Sequence, residues 1–354
     1  MSTKMRRYDF IKVLGEGQYA VVYKAKDTRT NDDVAVKKIK IGSRQEASDG
    51  INLTALREIK FLQEVKHPNV IELLDSFGEY GSNSPSICLV FEFMSTDLEN
   101  IINNRSILLT TTHTKSYMIM LLLGLEYLHN NWILHRDLKP NNLLIDKHGV
   151  LKIADFGLAK FFGSPSRLMS HEVVTRWYRS PELLFGAKKY GTAVDMWAAG
   201  LIMAELLLRT PLLPGESDLG QLLKIFEVFG TPTDNNWPDV RAFSNYIEYK
   251  SIEPKPLRTI FTTSKTDELD VLERIMQLDP KRRPNASETL QMEYFSNPPA
   301  PCPSERLPKP KEIIQQNDPL KRKLGNEEKG SIEILSFILY LLFYFVVTTK
   351  KERA

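Results

Sequence analysis

The segment His135-Arg-Asp-Leu-Lys-Pro-Asn-Asn142 decides the fold of this chain of 354 residues. It brings an aspartate, a lysine and an asparagine into one short stretch, and its proline restricts the backbone to a loop. The preceding residues, Thr112–His129, are long and apolar enough to predict a buried helix. Polar side chains held in a loop directly after a buried helix indicate an active site at this point of the chain.

Asp155-Phe-Gly157 supplies a second carboxylate a little further along the chain. Two short predicted strands, Leu143–Ile145 and Leu151–Ile153, separate it from the first segment, so a hairpin would bring Asp155 close to Asn142. Carboxylate and amide oxygens are the hard ligands that suit Mg²⁺. The pair therefore predicts a magnesium site.

Glycines mark the end of the first predicted strand, Tyr8–Leu14, in the stretch Gly15-Glu-Gly-Gln-Tyr-Ala-Val-Val22. A glycine lets backbone N–H groups approach a phosphate without a Cβ in the way. Taken alone, the pattern is more typical of an ordinary hairpin turn before the next predicted strand, Ala20–Lys26, so other motifs must decide.

Lys37 lies in the apolar predicted strand Val34–Ile39, where an ammonium group is costly unless an anion and a carboxylate offset its desolvation. Glu58 is the candidate carboxylate, on the predicted amphipathic helix Ile51–Val65. The two residues are predicted to pair beside a bound anion.

The order of these elements predicts an α+β fold with a cleft between a β-rich part, residues 8–94, and a helical part, residues 95–296. A proline-rich and basic flexible tail, residues 297–330, and an apolar end, residues 331–354, are predicted to follow. The other predicted elements are the strand Ser86–Phe93 and the helices Val194–Leu208, Gln221–Phe229 and Leu269–Leu278.

Composition limits the class of protein further. With 42% apolar and 26% charged residues the chain resembles a soluble globular protein, and its two cysteines, Cys88 and Cys302, exclude a disulfide framework or a metal knuckle. Residues 301–354 carry 10 Lys and Arg against 7 Asp and Glu, which leaves 37 of each sign in residues 1–300. A balanced body gives no electrostatic footprint for direct nucleic-acid binding.

Together these motifs resemble the signature of eukaryotic protein kinases over residues 8–295. Ser180-Pro-Glu182 stands where that family has Ala-Pro-Glu, and Asp195-Met-Trp-Ala-Ala-Gly200 opens a long buried helix. Glu182 and Arg283 resemble the family's buried ion pair. The resemblance implies a bilobal fold, with a small β-rich N-lobe that carries one regulatory helix and a larger α-helical C-lobe.

The resemblance also implies roles for single residues, with ATP and Mg²⁺ as cofactors. Asp137 would accept or orient the proton of the substrate hydroxyl, and Lys139 with Thr175 indicates the serine/threonine class. Lys37 would bridge the ATP phosphates and Glu58, Asn142 and Asp155 would hold Mg²⁺, and His135 would brace the loop. The implied ATP-binding residues are Leu14, Gly15, Glu16, Gly17, Gln18, Tyr19, Ala20, Val21, Val22, Ala35, Lys37, Phe91, Glu92, Met94, Asp97 and Leu144.

Within the kinases, Asn52-Leu-Thr-Ala-Leu-Arg-Glu58 resembles the cyclin-binding helix of cyclin-dependent kinases. Val173–Arg179 and Asp49-Gly-Ile-Asn52 resemble the CDK-activating branch, which implies a cyclin H type partner, a MAT1-type assembly factor and transcription factor IIH. The implied substrates are activation loops of other cyclin-dependent kinases and the C-terminal domain of RNA polymerase II. The alternatives are another proline-directed cyclin-dependent kinase, or a catalytically inactive scaffold with a kinase fold.

Two serines are candidates for regulatory phosphorylation. Ser170 occupies the position where the resembled kinases carry an activating threonine, and Arg57, Arg136 and Lys160 would receive its phosphate. Ser164 precedes a proline and is the second candidate, the alternative being an unmodified exposed serine.

The two ends of the chain predict its location. The N-terminus has no apolar stretch after its charges, so we expect synthesis in the cytosol without a secretory signal. Pro319-Leu-Lys-Arg-Lys-Leu324 predicts a nuclear address, the alternative being solvated charge, and we expect the protein in the nucleus and also in the cytoplasm. Ile334–Val347 is shorter than the about 17 residues that a membrane-spanning helix needs. Of the explanations for this segment, an aberrant terminal exon or read-through translation ranks first, a tail anchor second and a core helix last.

Overall fold

The computed structural model describes residues 7–16, 20–40, 59, 61–80, 85–163, 169–171 and 173–309, all within one compact unit that extends to Pro310. Several predictions concern residues outside the described ones. These are the loop residues Gly17, Gln18 and Tyr19, the regulatory residues Arg57, Glu58 and Ser164, the basic cluster Pro319–Leu324 and the apolar stretch Ile334–Val347.

A five-stranded antiparallel sheet forms the first part of the fold, in the order β1-β2-β3-β5-β4. Its strands are β1 (Tyr8–Glu16), β2 (Ala20–Asp27), β3 (Asp33–Lys40), β4 (Leu73–Tyr80) and β5 (Pro85–Glu92). In the register, Lys37 lies opposite Val22 on one side and Leu89 on the other. Directly opposed residues share a face of a sheet, so Val22 and Lys37 point the same way.

Strand β4 is a strand that the sequence patterns do not predict. Its middle residues, Asp75, Ser76 and Gly78, are poor strand formers, and a register shift between Leu73 and Asp75 breaks the alternation of period two. Contacts distant in sequence stabilise it instead. Tyr8 stacks on Phe77 with ring centroids 5.7 Å apart, and the hydroxyl of Tyr8 donates a hydrogen bond to Asp75.

The second part of the fold is mainly helical, which confirms the predicted α+β class. Its helices are α1 (Leu98–Asn103), α2 (Thr111–Asn130), α3 (Pro181–Leu184), α4 (Ala193–Leu208), α5 (Asp218–Phe229), α6 (Leu257–Ile260), α7 (Thr266–Ile275), α8 (Ala286–Leu290) and α9 (Glu293–Ser296). The long helices α2 and α4 lie in the core, as predicted. No helix in the described ranges has the length and apolar character needed to cross a membrane.

Short strands connect the active-site segments to these helices. β8 (Leu143–Ile145) and β9 (Leu151–Ile153) form the predicted hairpin and extend a sheet that begins with β6 (Thr96–Asp97). A second small sheet pairs β7 (Ile133–Leu134) with β10 (Lys160–Phe161).

Two described helices, α5 and α7, differ from the sequence prediction by more than one residue at an end. Helix α5 begins three residues before the predicted start, because the Ser217 side chain caps it by accepting a hydrogen bond from the Gly220 N–H. Helix α7 begins before the predicted Leu269 with acidic residues in its first turn and ends at Ile275, so the predicted end at Leu278 was wrong.

Residues 297–309 pack against α2 as a strap. The Lys115 side chain is 1% exposed, and its ammonium donates to the carbonyls of Asn297 (2.7 Å) and Pro299 (2.8 Å). Ser116 donates to the Cys302 carbonyl, and Leu307 is buried. The strap therefore supplies the hydrogen-bond acceptors for a buried lysine.

Candidate active site

A cleft of about 570 Å³ lies where the five-stranded sheet meets the helical part. The predicted site residues that line it are Leu14, Gly15, Val22, Ala35, Lys37, Phe91, Glu92, Met94, Asp97, Asn142, Leu144 and Asp155. Of the predicted ATP-binding residues that the structure describes, three, Glu16, Ala20 and Val21, are not among the lining residues. Successive side chains of a strand point to opposite faces, so Val21 points away from the cleft that its neighbour Val22 lines.

The cleft also contains residues that the sequence reasoning missed: Ile71, Phe93, Ser95, Thr96, Asn100, Asn141 and Ala154. Asn141 stands inside the decisive segment, and Ala154 directly precedes Asp155, so adjacency could have identified both. Ile71 carries no such signal, since it reaches the cleft through a parallel bridge and hydrogen bond that its segment forms with Ile153.

A larger cavity of about 860 Å³ lies elsewhere on the helical part. Its lining cations are already balanced, since Arg274 pairs with Asp270 and Lys281 with Asp239. The smaller cleft, which holds both predicted metal ligands and Lys37, is therefore the candidate active site.

Asp137 lies at the centre of a compact polar cluster. Its Oδ1 accepts hydrogen bonds from the backbone N–H and the hydroxyl of Thr175, both at 3.0 Å. Its Oδ2 accepts from Lys139 Nζ at 3.0 Å and from Asn142 Nδ2 at 3.1 Å. Lys139 also donates to the Thr175 hydroxyl at 3.0 Å. The structure thus joins four of the predicted site residues around one carboxylate.

Hydrogen bonds to buried groups fix the loop that carries Asp137. Asp195, at the start of α4, accepts from the backbone N–H groups of His135 and Arg136, each at 2.9 Å. Burial opposes ionisation of Asp195, but the hydrogen bonds from His129 and from the Arg136 N–H contribute to outweighing burial, and the pKa of the carboxyl is lowered. The ring of His135 bonds the Ala154 carbonyl through Nε2 and accepts from the Asp137 N–H at Nδ1. This single tautomer braces the loop, as predicted.

Lys37 Nζ forms an ion pair with Asp155 Oδ1 at 3.2 Å. Asp155 has left-handed backbone geometry, with φ of 64°, which turns its side chain out of the preceding strand direction. Burial raises the pKa of this carboxyl, but the Lys37 ammonium outweighs that effect and holds the pKa below the ordinary value. The predicted partner Glu58 lies outside the described residues, so the pairing of Lys37 with Glu58 stays a prediction.

Asn142 and Asp155 supply a donor set that suits a hard cation. Asn142 Nδ2 donates hydrogen bonds to the backbone carbonyl and to the side chain of Asp137. These bonds fix the orientation of the amide and leave its Oδ1 as the atom available to a metal ion. Among the described residues no group of three or more His, Cys, Asp or Glu side chains could hold a metal ion. A Mg²⁺ ion here would therefore complete its shell with phosphate oxygens and water.

The connection between the two parts of the fold is fixed at Glu92. Its Oε1 accepts from Lys152 Nζ at 2.8 Å and from the Glu72 N–H at 3.0 Å, so one carboxylate joins β9 to the segment before β4. Asp97 caps α1 through the Asn100 N–H at 2.7 Å, and burial raises the pKa of its carboxyl.

The described regulatory residues, Arg136, Lys160 and Ser170, lie in three segments of the chain. Arg136 is 6% exposed, and its guanidinium donates to the Leu158 carbonyl at 2.7 Å and to the Tyr190 hydroxyl at 2.9 Å. Tyr190 in turn donates to the Ser170 carbonyl at 2.6 Å, while the Ser170 side chain is exposed. Lys160 lies in β10. Tyr190 is a residue that the sequence reasoning missed.

The predicted pair Glu182–Arg283 is a buried, bidentate ion pair. The two N–O distances are 2.7 and 2.8 Å, and the side chains are 3% and 0% exposed. Arg283 donates its other N–H groups to the carbonyls of Gln277, Leu278 and Ala193. All five guanidinium donors are therefore satisfied.

Comparisons with known proteins agree with this geometry. A family model described as Protein kinase domain matches residues 8–295. The chain is 56% identical to Cyclin-dependent kinase 7 of Xenopus laevis over 344 residues, which is 95% of this chain and 97% of the relative.

Two solved structures are also similar. The CAK complex of Chaetomium thermophilum bound to ATP-gamma-S matches with a TM-score of 0.80 and 40% identity, over 87% of this chain and 96% of that one. The yeast RNA Pol II CTD kinase CTDK-1 complex matches with a TM-score of 0.76 and 36% identity, over 84% and 95%. The sheet and the helical part are thus the N-lobe and C-lobe of a bilobal fold, as predicted. The chain belongs to the protein kinase family and, within it, to the cyclin-dependent serine/threonine kinases.

Proposed function

We propose that this kinase transfers the γ-phosphoryl group of ATP to serine or threonine hydroxyls, with Asp137 as the group that receives or orients the hydroxyl proton. The observation that carries the proposal is the cluster of Asp137, Lys139, Thr175 and Asn142 beside a cleft that contains Lys37 and Asp155. ATP-gamma-S in the similar CAK complex supports ATP as the nucleotide.

Four donors already occupy the carboxylate of Asp137, which offers about four lone-pair positions. An incoming substrate hydroxyl must therefore replace one of them. Lys139 is the donor that a phosphate would attract away, because an ammonium binds a phosphate as a point charge. Binding of ATP would thus free Oδ2 of Asp137 for the substrate.

Asn142 and Asp155 would hold Mg²⁺, which when bound neutralises charge on the phosphates. Lys37, paired with Asp155 at 3.2 Å, is close enough to contact the same phosphates. Ala35 and Leu144 line the cleft and would contact the adenine, with Glu92 and Met94 at its edge and Asp97 near the ribose. Phe91 would limit the depth of the pocket.

The branch of the family suggests the substrates and partners. The relatives include Cyclin-dependent kinase 7, a CAK complex and an RNA Pol II CTD kinase complex. The substrates are then the activation loops of other cyclin-dependent kinases and the C-terminal domain of RNA polymerase II. The partners are a cyclin H type subunit, a MAT1-type factor and transcription factor IIH, and the location is the nucleus.

Phosphorylation of Ser170 would activate the enzyme. Its side chain is exposed, and the Ser170 backbone is joined through Tyr190 to Arg136, one of the cations that would receive the phosphate. A cyclin on the helix that contains Glu58 would stabilise the pairing of Glu58 with Lys37. We therefore expect low activity of the chain without cyclin.

The test mixes the purified chain with a cyclin H type subunit, Mg²⁺-ATP and a peptide from the polymerase C-terminal domain, and measures phosphoserine. Asp137→Asn should lower the rate about 10²–10⁴-fold while fluorescent nucleotide still binds. Asp234→Asn, at a carboxylate with 79% exposure, is the matched control and should not change the rate.

Each outcome separates the alternatives. No transfer by the wild-type complex would favour the inactive scaffold, and transfer without any cyclin would contradict cyclin control. A second substrate, an inactive cyclin-dependent kinase with an intact activation loop, distinguishes the CDK-activating branch from another proline-directed kinase. Phosphorylation of the polymerase peptide without phosphorylation of this second substrate would favour another proline-directed cyclin-dependent kinase.

A further inference from the structure

Tyr190 lies between two segments that the reaction must align, the stretch around Ser170 and the loop of Asp137. Its hydroxyl accepts from Arg136 at 2.9 Å and donates to the Ser170 carbonyl at 2.6 Å. Burial raises the pKa of this hydroxyl even though Arg136 opposes the shift, so it stays protonated and keeps its donor. One side chain therefore joins the two segments.

Arg136 needs such a partner because its guanidinium is buried. Within the described ranges it forms no ion pair with a carboxylate, and its acceptors are the Leu158 carbonyl and the Tyr190 hydroxyl. Arg136 also has left-handed backbone geometry, with φ of 67°, immediately before Asp137. Because Arg136 directly precedes Asp137, contacts that hold its side chain also restrict the backbone next to the residue that handles the substrate proton.

We infer that Tyr190 is a positioning residue for phosphotransfer, which holds Arg136 and the Ser170 segment in register while Ser170 is unmodified. This inference deepens the proposed function and rests on it. A phosphate on Ser170 would give Arg136 a stronger, charged acceptor. The Tyr190 hydroxyl then becomes dispensable, so its importance depends on the modification state.

A second contact defines what the hydroxyl alone contributes. The Met169 N–H donates to the Lys188 carbonyl at 2.8 Å, so the backbone of the Ser170 stretch stays joined to the segment that carries Tyr190 when the Tyr190 hydroxyl is removed. Tyr190→Phe keeps the ring and this backbone bond, and removes only the connection between Arg136 and Ser170.

The test compares Tyr190→Phe in two forms of the cyclin-bound enzyme, one with Ser170→Ala and one fully phosphorylated on Ser170 as shown by mass spectrometry. In the Ser170→Ala form kcat should fall about tenfold, the rate equivalent of one charge-assisted hydrogen bond, with the KM for ATP unchanged. In the phosphorylated form kcat should fall less than about twofold. Equal losses in both forms, or no loss in either, would overturn the inference.

Hydrogen exchange gives a readout that does not need catalysis. In the unmodified chain, Tyr190→Phe should speed exchange of the Met169 amide, while Tyr246→Phe, whose hydroxyl forms no hydrogen bond in the described part, should not. Unchanged Met169 exchange refutes the role of Tyr190 even if the complex proves inactive. Absence of phosphotransfer by the parent complex, with Met169 exchange changed as expected, refutes the proposed function alone.

Discussion

Replacement of Arg283 by methionine tests how strongly one buried ion pair stabilises the C-lobe. The side chain is fully buried, contacts both oxygens of Glu182 and lies over the Trp197 ring at 4.9 Å from its centroid. Methionine fills much of the same volume but carries no donor. The buried Glu182 carboxylate is then left without a cation.

The expected loss follows from the groups that remain. Breaking a buried ion pair by removing one partner costs about 3–5 kcal/mol, because the other charge stays desolvated. The carbonyls of Gln277, Leu278 and Ala193 lose donors as well. We therefore expect a loss of about 4 kcal/mol, a large share of the about 5–15 kcal/mol that stabilises a typical domain.

Urea denaturation, followed by far-UV circular dichroism, measures this loss as a change in the free energy of unfolding. Glu182→Leu, alone and combined with Arg283→Met, completes a double-mutant cycle, and we expect a coupling energy of about 2 kcal/mol. A loss below about 1 kcal/mol for Arg283→Met, or a coupling within about 0.5 kcal/mol of zero, would refute this account of the pair.

Two further outcomes follow from single buried groups. Ser180→Ala should stabilise the protein by about 1 kcal/mol in the same assay, since the Ser180 hydroxyl is buried and has no hydrogen-bond partner among the residues that the structure describes; a loss of stability would contradict this. A maleimide should label the partly exposed Cys302 and leave Cys88 unmodified up to about pH 10. The reason is that burial and, to a smaller extent, the negative charge of Glu79 raise the pKa of the Cys88 thiol to about 12. Because the unfolded chain loses the thiol proton first, the same shift lowers the free energy of unfolding as the pH rises from about 9 towards 12; rapid labelling of Cys88 in the folded protein would contradict it.

The active-site residues that could be predicted from the sequence are those whose chemistry is contained in a short segment. Asp137, Lys139 and Asn142 stand within six residues of one another, and the structure joins them with Thr175. The hairpin that brings Asp155 near them was also predictable, because it connects neighbouring strands.

Features that depend on contacts distant in sequence could not be predicted in this way. Strand β4 forms because Tyr8 and Phe77 stack, although its own residues favour it poorly. Tyr190 acts through Arg136 and Ser170, which precede it by 54 and 20 positions, and a lone tyrosine near a helix carries no local signal of that role. Ile71 reaches the cleft by a bridge to β9 for the same reason.

The strap of residues 297–309 affects how a shortened version of this kinase would behave. The family match ends at residue 295, so a shortened chain designed from that match would end there. Such a truncation would delete the carbonyls of Asn297 and Pro299 and leave the buried Lys115 ammonium over the Tyr294 ring without these two acceptors. The chain that folds as a unit is therefore longer than the catalytic motifs suggest, and its boundary is set by the solvation of one lysine.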